Sequence, residues 1–93
     1  MIKSFADKVT AAVFSGQEAR RMATPLQTEA RRKLMMLDAA TSLDTLRATP
    51  GNRLEALKGN RKGRHSIRIN QQWRVCFKWE AGHAWSVEIV HYH

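Results

Sequence analysis

From Arg64 to Trp79 the side chains alternate in character with a period of two. That period is a strand signature, and it sends alternate residues to opposite faces of one sheet. Ile67 and Ile69, then Trp73, Val75, Phe77 and Trp79, fall on one face. Ser66, Arg68 and Asn70, then Arg74, Cys76 and Lys78, fall on the other. The first set makes a core, and the second a cationic floor with hydrogen-bonding groups on it. Strand interiors favour β-branched and aromatic residues, so two mid-strand arginines ask for a reason. An anionic ligand supplies one.

Charge points the same way. Sixteen Lys plus Arg stand against eight Asp plus Glu, a net +8. Between Arg47 and Lys78 there are nine basic residues and one acid, Glu55, while the rest of the chain holds seven of each sign. An excess confined to one segment fits a polyanion bound with an affinity that falls as salt rises. The plain alternative is a solvated basic surface.

The 93 residues suit one domain, 1–93, with a modest core, and a hydrophobic share of 43% excludes disorder. No apolar run reaches the roughly 18 residues of a membrane span. Met1-Ile2-Lys3-Ser4-Phe5 lacks the apolar core of a signal peptide, and the single Cys76 forms no internal disulfide. A cytoplasmic protein with no membrane partner is the expectation.

The first half reads as helical. Ile2 to Phe5 suits a short strand and Asp7 to Ser15 a short helix stopped by Gly16. Thr24-Pro25-Leu26-Gln27 reads as a helix start, with Thr24 as cap and Gln27 completing a capping box. That helix runs to about Ala40 and carries an apolar stripe of Leu26, Ala30, Leu34 and Leu37, with Arg31, Arg32 and Met35 off it. Ser42 to Leu46 adds one further turn, and Pro50-Gly51 breaks the chain. Strands follow near Asn52–Leu57, His65–Ile69, Trp73–Trp79 and Ala84–Tyr92. Helices first and strands later predict an α+β domain, its N-terminal helices packed on one face of a small, mainly antiparallel sheet.

Several chemistries lack their usual pattern here, although His91 and His93 share a strand face at a chelating spacing. His65, His83, His91 and His93 are scattered, and there is neither a Cys-x-x-Cys nor a His-Glu-x-x-His spacing. No metal and no cofactor is expected. A mid-strand cysteine such as Cys76 is a packed residue before it is a nucleophile. What remains is phosphodiester chemistry on RNA, which needs a base for the 2′-hydroxyl, an acid for the leaving 5′-oxygen and fixed cations for the developing charge. Arg68, Arg74, Lys58, Arg61 and Lys62 supply cations, with Arg53 and Arg64 in the same basic segment. His91, Tyr92 and His93 supply acid, base and a stacking ring. Strict alternation groups Tyr92 with Glu88 and Val90, and His91 and His93 with Trp85, Val87 and Ile89. If the Val87 and Ile89 side is the core, Tyr92 shares the floor and the histidines need a bend to reach it. Trp73, Trp79 and Trp85 read as core rather than as base-stacking platforms. Arg31 and Arg32 lie on a solvated helix face or meet a partner's acids.

With these residues the chain resembles the HigB-type toxins of the RelE superfamily. The resemblance runs from Met1-Ile2-Lys3-Ser4-Phe5 through Arg32-Lys33-Leu34 and Leu37-Asp38-Ala39-Ala40-Thr41. It is densest over Pro50-Gly51-Asn52-Arg53-Leu54, Leu57-Lys58-Gly59 and Gly63 through Phe77, and closes with Val87-Glu88-Ile89-Val90 and Tyr92-His93. It implies a RelE-like fold and a ribosome-dependent endonuclease that cleaves translated mRNA in the decoding site. It further implies a cognate helix-turn-helix antitoxin of the HigA type, with operator DNA met only through that antitoxin. Arg74 matches the superfamily's strand arginine, and Tyr92 and His93 match its closing signature. His91 stands where the family has aspartate, and Glu55 where some members have a catalytic histidine. A non-catalytic RNA- or ribosome-binding module on the same scaffold is the competing reading.

Overall fold

Turn chemistry punctuates the alternating segments. The computed structural model describes residues 1–20, 22–61 and 63–91. Strands Glu55–Ala56 (β1), Arg64–Arg68 (β2), Trp73–Glu80 (β3) and His83–His91 (β4) pair antiparallel in the order β1-β2-β3-β4. Asn70 closes the β2–β3 turn, its Oδ1 accepting from the N–H of Gln72 at 2.8 Å and of Trp73 at 2.9 Å. Ala81 and Gly82 join β3 to β4 with φ of 54° and 78°, the left-handed pair that a two-residue hairpin demands.

Helices Lys8–Phe14 (α1), Thr24–Ala39 (α2) and Leu43–Ala48 (α3) precede the sheet. Asp7 caps α1, accepting from the Thr10 N–H at 2.7 Å, and Ser42 caps α3 through Thr45 at 3.3 Å. The capping box expected on α2 does not form. The helix begins at Thr24 itself, with Ala23 at its cap and no side-chain cap bond. Gln27 reaches back instead. Its Nε2 donates to the carbonyls of Ala19 at 3.1 Å and Met22 at 2.6 Å, and its Oε1 accepts from the Ala19 N–H at 3.0 Å. Three bonds thus stitch the preceding link to the helix where a capping box would satisfy two orphan donors.

The α2 stripe behaves as its spacing predicts: Ala30, Leu34 and Leu37 are fully buried and Met35 is half exposed. They belong to one core with Ile67, Val75, Phe77 and Val87 of the sheet. Each large member contributes roughly 1.5–3 kcal/mol by leaving water. The helices therefore pack on the Ile67, Val75 and Phe77 side. Arg68 and Arg74, in register with each other, alternate to the opposite side.

Two strands depart from expectation. The run Asn52–Leu57 keeps only Glu55–Ala56 as strand, because Arg53 takes a left-handed φ of 44° and Asn52 turns fully inward. In β4, Cys76 pairs with Glu88 but Lys78 pairs with Trp85, so an extra residue sits opposite Phe77 and Ser86 takes φ 51°. This bulge flips the parity beyond it. Trp85, expected in the core with Val87 and Ile89, joins Lys78 on the other face and is 36% exposed.

The N-terminal segment lies along β4 through isolated parallel bridges, Ile2 to Ala84 and Phe5 to Val87. Thr10 Oγ1 accepts the Ile89 N–H at 3.0 Å, so α1 helps cover that edge of the sheet. Among the described residues no helix is long and apolar enough to cross a membrane.

Candidate functional site

The helix-free face centres on Arg74. It is 7% exposed, and its guanidinium is held on several sides. Nε donates to Ser66 Oγ at 2.8 Å, and Nη2 donates to the carbonyls of Arg53 at 2.6 Å and Ser66 at 3.2 Å. Nη1 stands 4.0 Å from the Glu55 carboxylate. The open cationic floor expected from alternation is thus partly roofed. The segment after Asn52 folds over it, from the Arg53 carbonyl on Arg74 to the Arg61 guanidinium 3.9 Å from Glu88 on β4. Ser66 and Cys76 beneath are fully buried. Burial pushes the Cys76 thiol up, and the Arg61 guanidinium beside it opposes that rise. Covering a guanidinium is tolerable only when it is paired, which explains why Arg74 carries so many acceptors.

The roof is anchored from the helix side. Lys33, 4% exposed, donates to Asn52 Oδ1 at 2.6 Å. Asn52 Nδ2 donates to the Leu46 carbonyl at 3.1 Å, and the Asn52 carbonyl accepts the Arg68 N–H at 2.7 Å. The next residue, Arg53, holds Arg74. Helices α2 and α3 are therefore linked through Asn52 to both strand arginines. Burial, with the Arg32 charge, holds the Lys33 pKa below its ordinary value. Sequence reasoning missed this lysine because it ends a basic triplet, Arg31-Arg32-Lys33. The signal was its spacing, three residues after Ala30 and four before Leu37, which puts it on the buried stripe.

The remaining candidates divide. Arg68 is half-buried, with its Nε donating to the Asn70 carbonyl at 3.1 Å. Arg64 stands in register with Lys78 on the Arg74 side. Arg53 and Lys58 are exposed and Arg61 is half-buried. His91 is in register with Trp73, its ring centroid 4.8 Å from the indole and tilted by 51°. Ile89, on the same side of β4, faces Val75, whereas the partner of Arg74 is Val90. His91 therefore lies on the helix side of the sheet, across from the arginines. Lys62, Tyr92 and His93 lie outside the described residues. Among the described residues no three His, Cys, Asp or Glu side chains gather as a metal site.

Comparison with known proteins agrees with this architecture. The family model of the HigB-like toxin, described as the RelE-like toxin of the type II toxin–antitoxin system HigB, matches residues 3–93. Toxin HigB-1 of Vibrio cholerae serotype O1 is 55% identical over 51 residues, which cover 55% of this chain and 54% of that protein. The chain spans about half the length of the curated relatives it matches. Among solved structures, the YoeB–YefM complex from Staphylococcus aureus is similar at a TM-score of 0.63 and 17% identity, over 100% of this chain and 98% of that one. YafQ from E. coli is similar at 0.58 and 12% identity, over 98% and 93%. At such identities the likeness is one of fold. With the family match running over nearly the whole length, and with three helices and a four-stranded antiparallel sheet in place among the described residues, the chain belongs to the RelE-like HigB toxins of type II toxin–antitoxin systems.

Proposed function

We propose that this chain is the toxin of such a system and acts as a ribosome-dependent endonuclease on translated mRNA. The observation that carries the reading is the in-register pair Arg68 and Arg74 on the face away from the helices. In this reading the RNA 2′-hydroxyl attacks the adjacent phosphorus and the 5′-oxygen leaves, giving a 2′,3′-cyclic phosphate and a 5′-hydroxyl. Arg74, steadied by Ser66 and the Arg53 carbonyl, stabilises the charge that develops on the phosphate. His93 acts as acid or base, and Tyr92 stacks on or orients a base. Arg53, Lys58, Arg61, Lys62, Arg64 and Arg68 hold flanking phosphates. The partners are the ribosome with its mRNA and a HigA-like antitoxin, which alone contacts operator DNA.

One observation favours a second reading, a non-catalytic RNA- or ribosome-binding module. His91 packs on Trp73 across the sheet from Arg74, and Arg74 is itself engaged by protein acceptors. The deciding experiment induces the chain in cells and maps the 5′ ends of translated mRNAs, beside Arg74→Ala and His91→Asp. Cuts with 5′-hydroxyl ends that vanish in Arg74→Ala support the enzyme. A tenfold rise in His91→Asp, about 1.4 kcal/mol of barrier, makes the chain an attenuated toxin, and a fall makes His91 itself a participant. If neither the chain nor His91→Asp cuts ribosome-bound mRNA, the binding module takes its place.

A further inference from the structure

The β4 bulge leaves a large aromatic, Trp85, on the cationic side of the sheet. Trp85 is the aromatic among the exposed large hydrophobic residues described, at 36% exposure. It stands in register with Lys78, which is in register with Arg64, so Arg64, Lys78 and Trp85 form one row across three strands. The indole Nε1 donates to the Glu80 carbonyl at 3.2 Å, which fixes one edge of the ring. Lys78 pairs with Glu80 at 3.3 Å, but both side chains are at least half exposed. Such a pair is weak and exchanges readily for a phosphate. The row lies four residues along β3 from Arg74, roughly 13 Å at the strand rise, a gap that extended single-stranded RNA crosses in a few nucleotides.

The geometry points to a base-stacking subsite for single-stranded RNA on Trp85, with Arg64 and Lys78 on the adjoining phosphates. This rests on the RNA-cleaving reading and extends it, because the substrate is then gripped at a second point away from Arg74. Cations beside an aromatic platform are how sequence-tolerant single-strand sites are built. On this face Arg64, Arg68, Arg74 and Lys78 outnumber Glu80 and Glu88, and that excess favours a polyanion.

The test measures binding of a short single-stranded RNA carrying 2′-O-methyl groups, which removes its own nucleophile. Wild type, Trp85→Ala, Trp85→Phe and Arg68→Ala are compared by fluorescence anisotropy. Trp85→Ala is expected to weaken binding about tenfold and Trp85→Phe by less than about threefold, since a stacked base is lost only in the first. An abasic nucleotide at one position should weaken wild type and not Trp85→Ala. Where Trp85→Ala fails to fold, indole emission answers instead: RNA quenches wild type far more than Trp85→Phe, which retains Trp73 and Trp79. Undiminished binding by Trp85→Ala, or equal quenching in Trp85→Phe, overturns the subsite. If Arg68→Ala then still loses affinity, the RNA reading stands without it. Absence of RNA binding by wild type overturns the subsite, while the cleavage reading stands or falls on the 5′ ends mapped in cells.

Discussion

Asn52 is the residue on which most depends for its size. Its side chain joins the Lys33 ammonium to the Leu46 carbonyl, and its backbone takes the Arg68 N–H. Asn52→Ala strands a buried ammonium and a buried carbonyl together, and each unmet partner costs about 1–3 kcal/mol. Urea unfolding should therefore show a loss of about 3 kcal/mol. The double change Lys33→Met with Asn52→Leu removes the charge along with its partner but leaves the Leu46 carbonyl unmet, so it should recover about half of that loss; a double mutant no better than the single would refute a coupled pair. His65 gives a pH signature. Its Nδ1 is buried without a hydrogen-bond partner among the described residues, and burial together with the Arg47 charge holds its pKa below the ordinary 6.5. A depressed folded pKa means the folded state prefers the neutral ring. The stability this represents is complete above the unfolded value and is lost as pH falls through the folded one. The thermal midpoint should fall as pH drops below 6.5, and His65→Leu should make that fall shallower. Neither residue's role was legible beforehand. Lys33 follows two arginines that read as solvated, and the surroundings of His65, Phe77 and Arg47, come from distant stretches of chain.

At the level of elements, the β3–β4 hairpin holds a local conflict. Ala81 adopts φ 54°, a left-handed conformation that costs an L residue roughly 1–2 kcal/mol. The following Gly82 meets the same demand without strain. Ala81→Asn supplies the Asn-Gly pair that this turn type favours. It should stabilise the fold by about 0.5–1 kcal/mol and raise the melting midpoint by about 2–8 °C. An unchanged or lower midpoint would mean that neighbours, not the turn itself, dictate the geometry. The same hairpin shows how far alternation reads. Period two placed Ile67, Val75 and Phe77 against the helices and Arg68 and Arg74 away from them. It failed at Trp85, because one extra residue in a bulge reverses every side chain past it.

For the molecule as a whole the distribution of charge makes the broadest prediction. If about five phosphates are contacted, log affinity for single-stranded RNA falls against log salt with a slope near −3.5. Reversing the charge of Arg61 and Lys62 should flatten that slope by about 1.4. A salt-insensitive interaction would assign the basic segment to another partner. Composition, period and turn residues, all local properties of the chain, determined the α+β order, the stripe on α2, the two unlike faces of the sheet and the position of the cationic segment. The family signature was legible for the same reason, being carried by short stretches along the whole length. Only the tertiary structure decided that the floor is roofed, with Arg74 paired to Ser66, Arg53 and Glu55. It also decided that Lys33 is interior and that His91 faces Trp73. Those outcomes depend on which distant groups meet in space. A buried cation must find its acceptors wherever the fold brings them, and no local period encodes that.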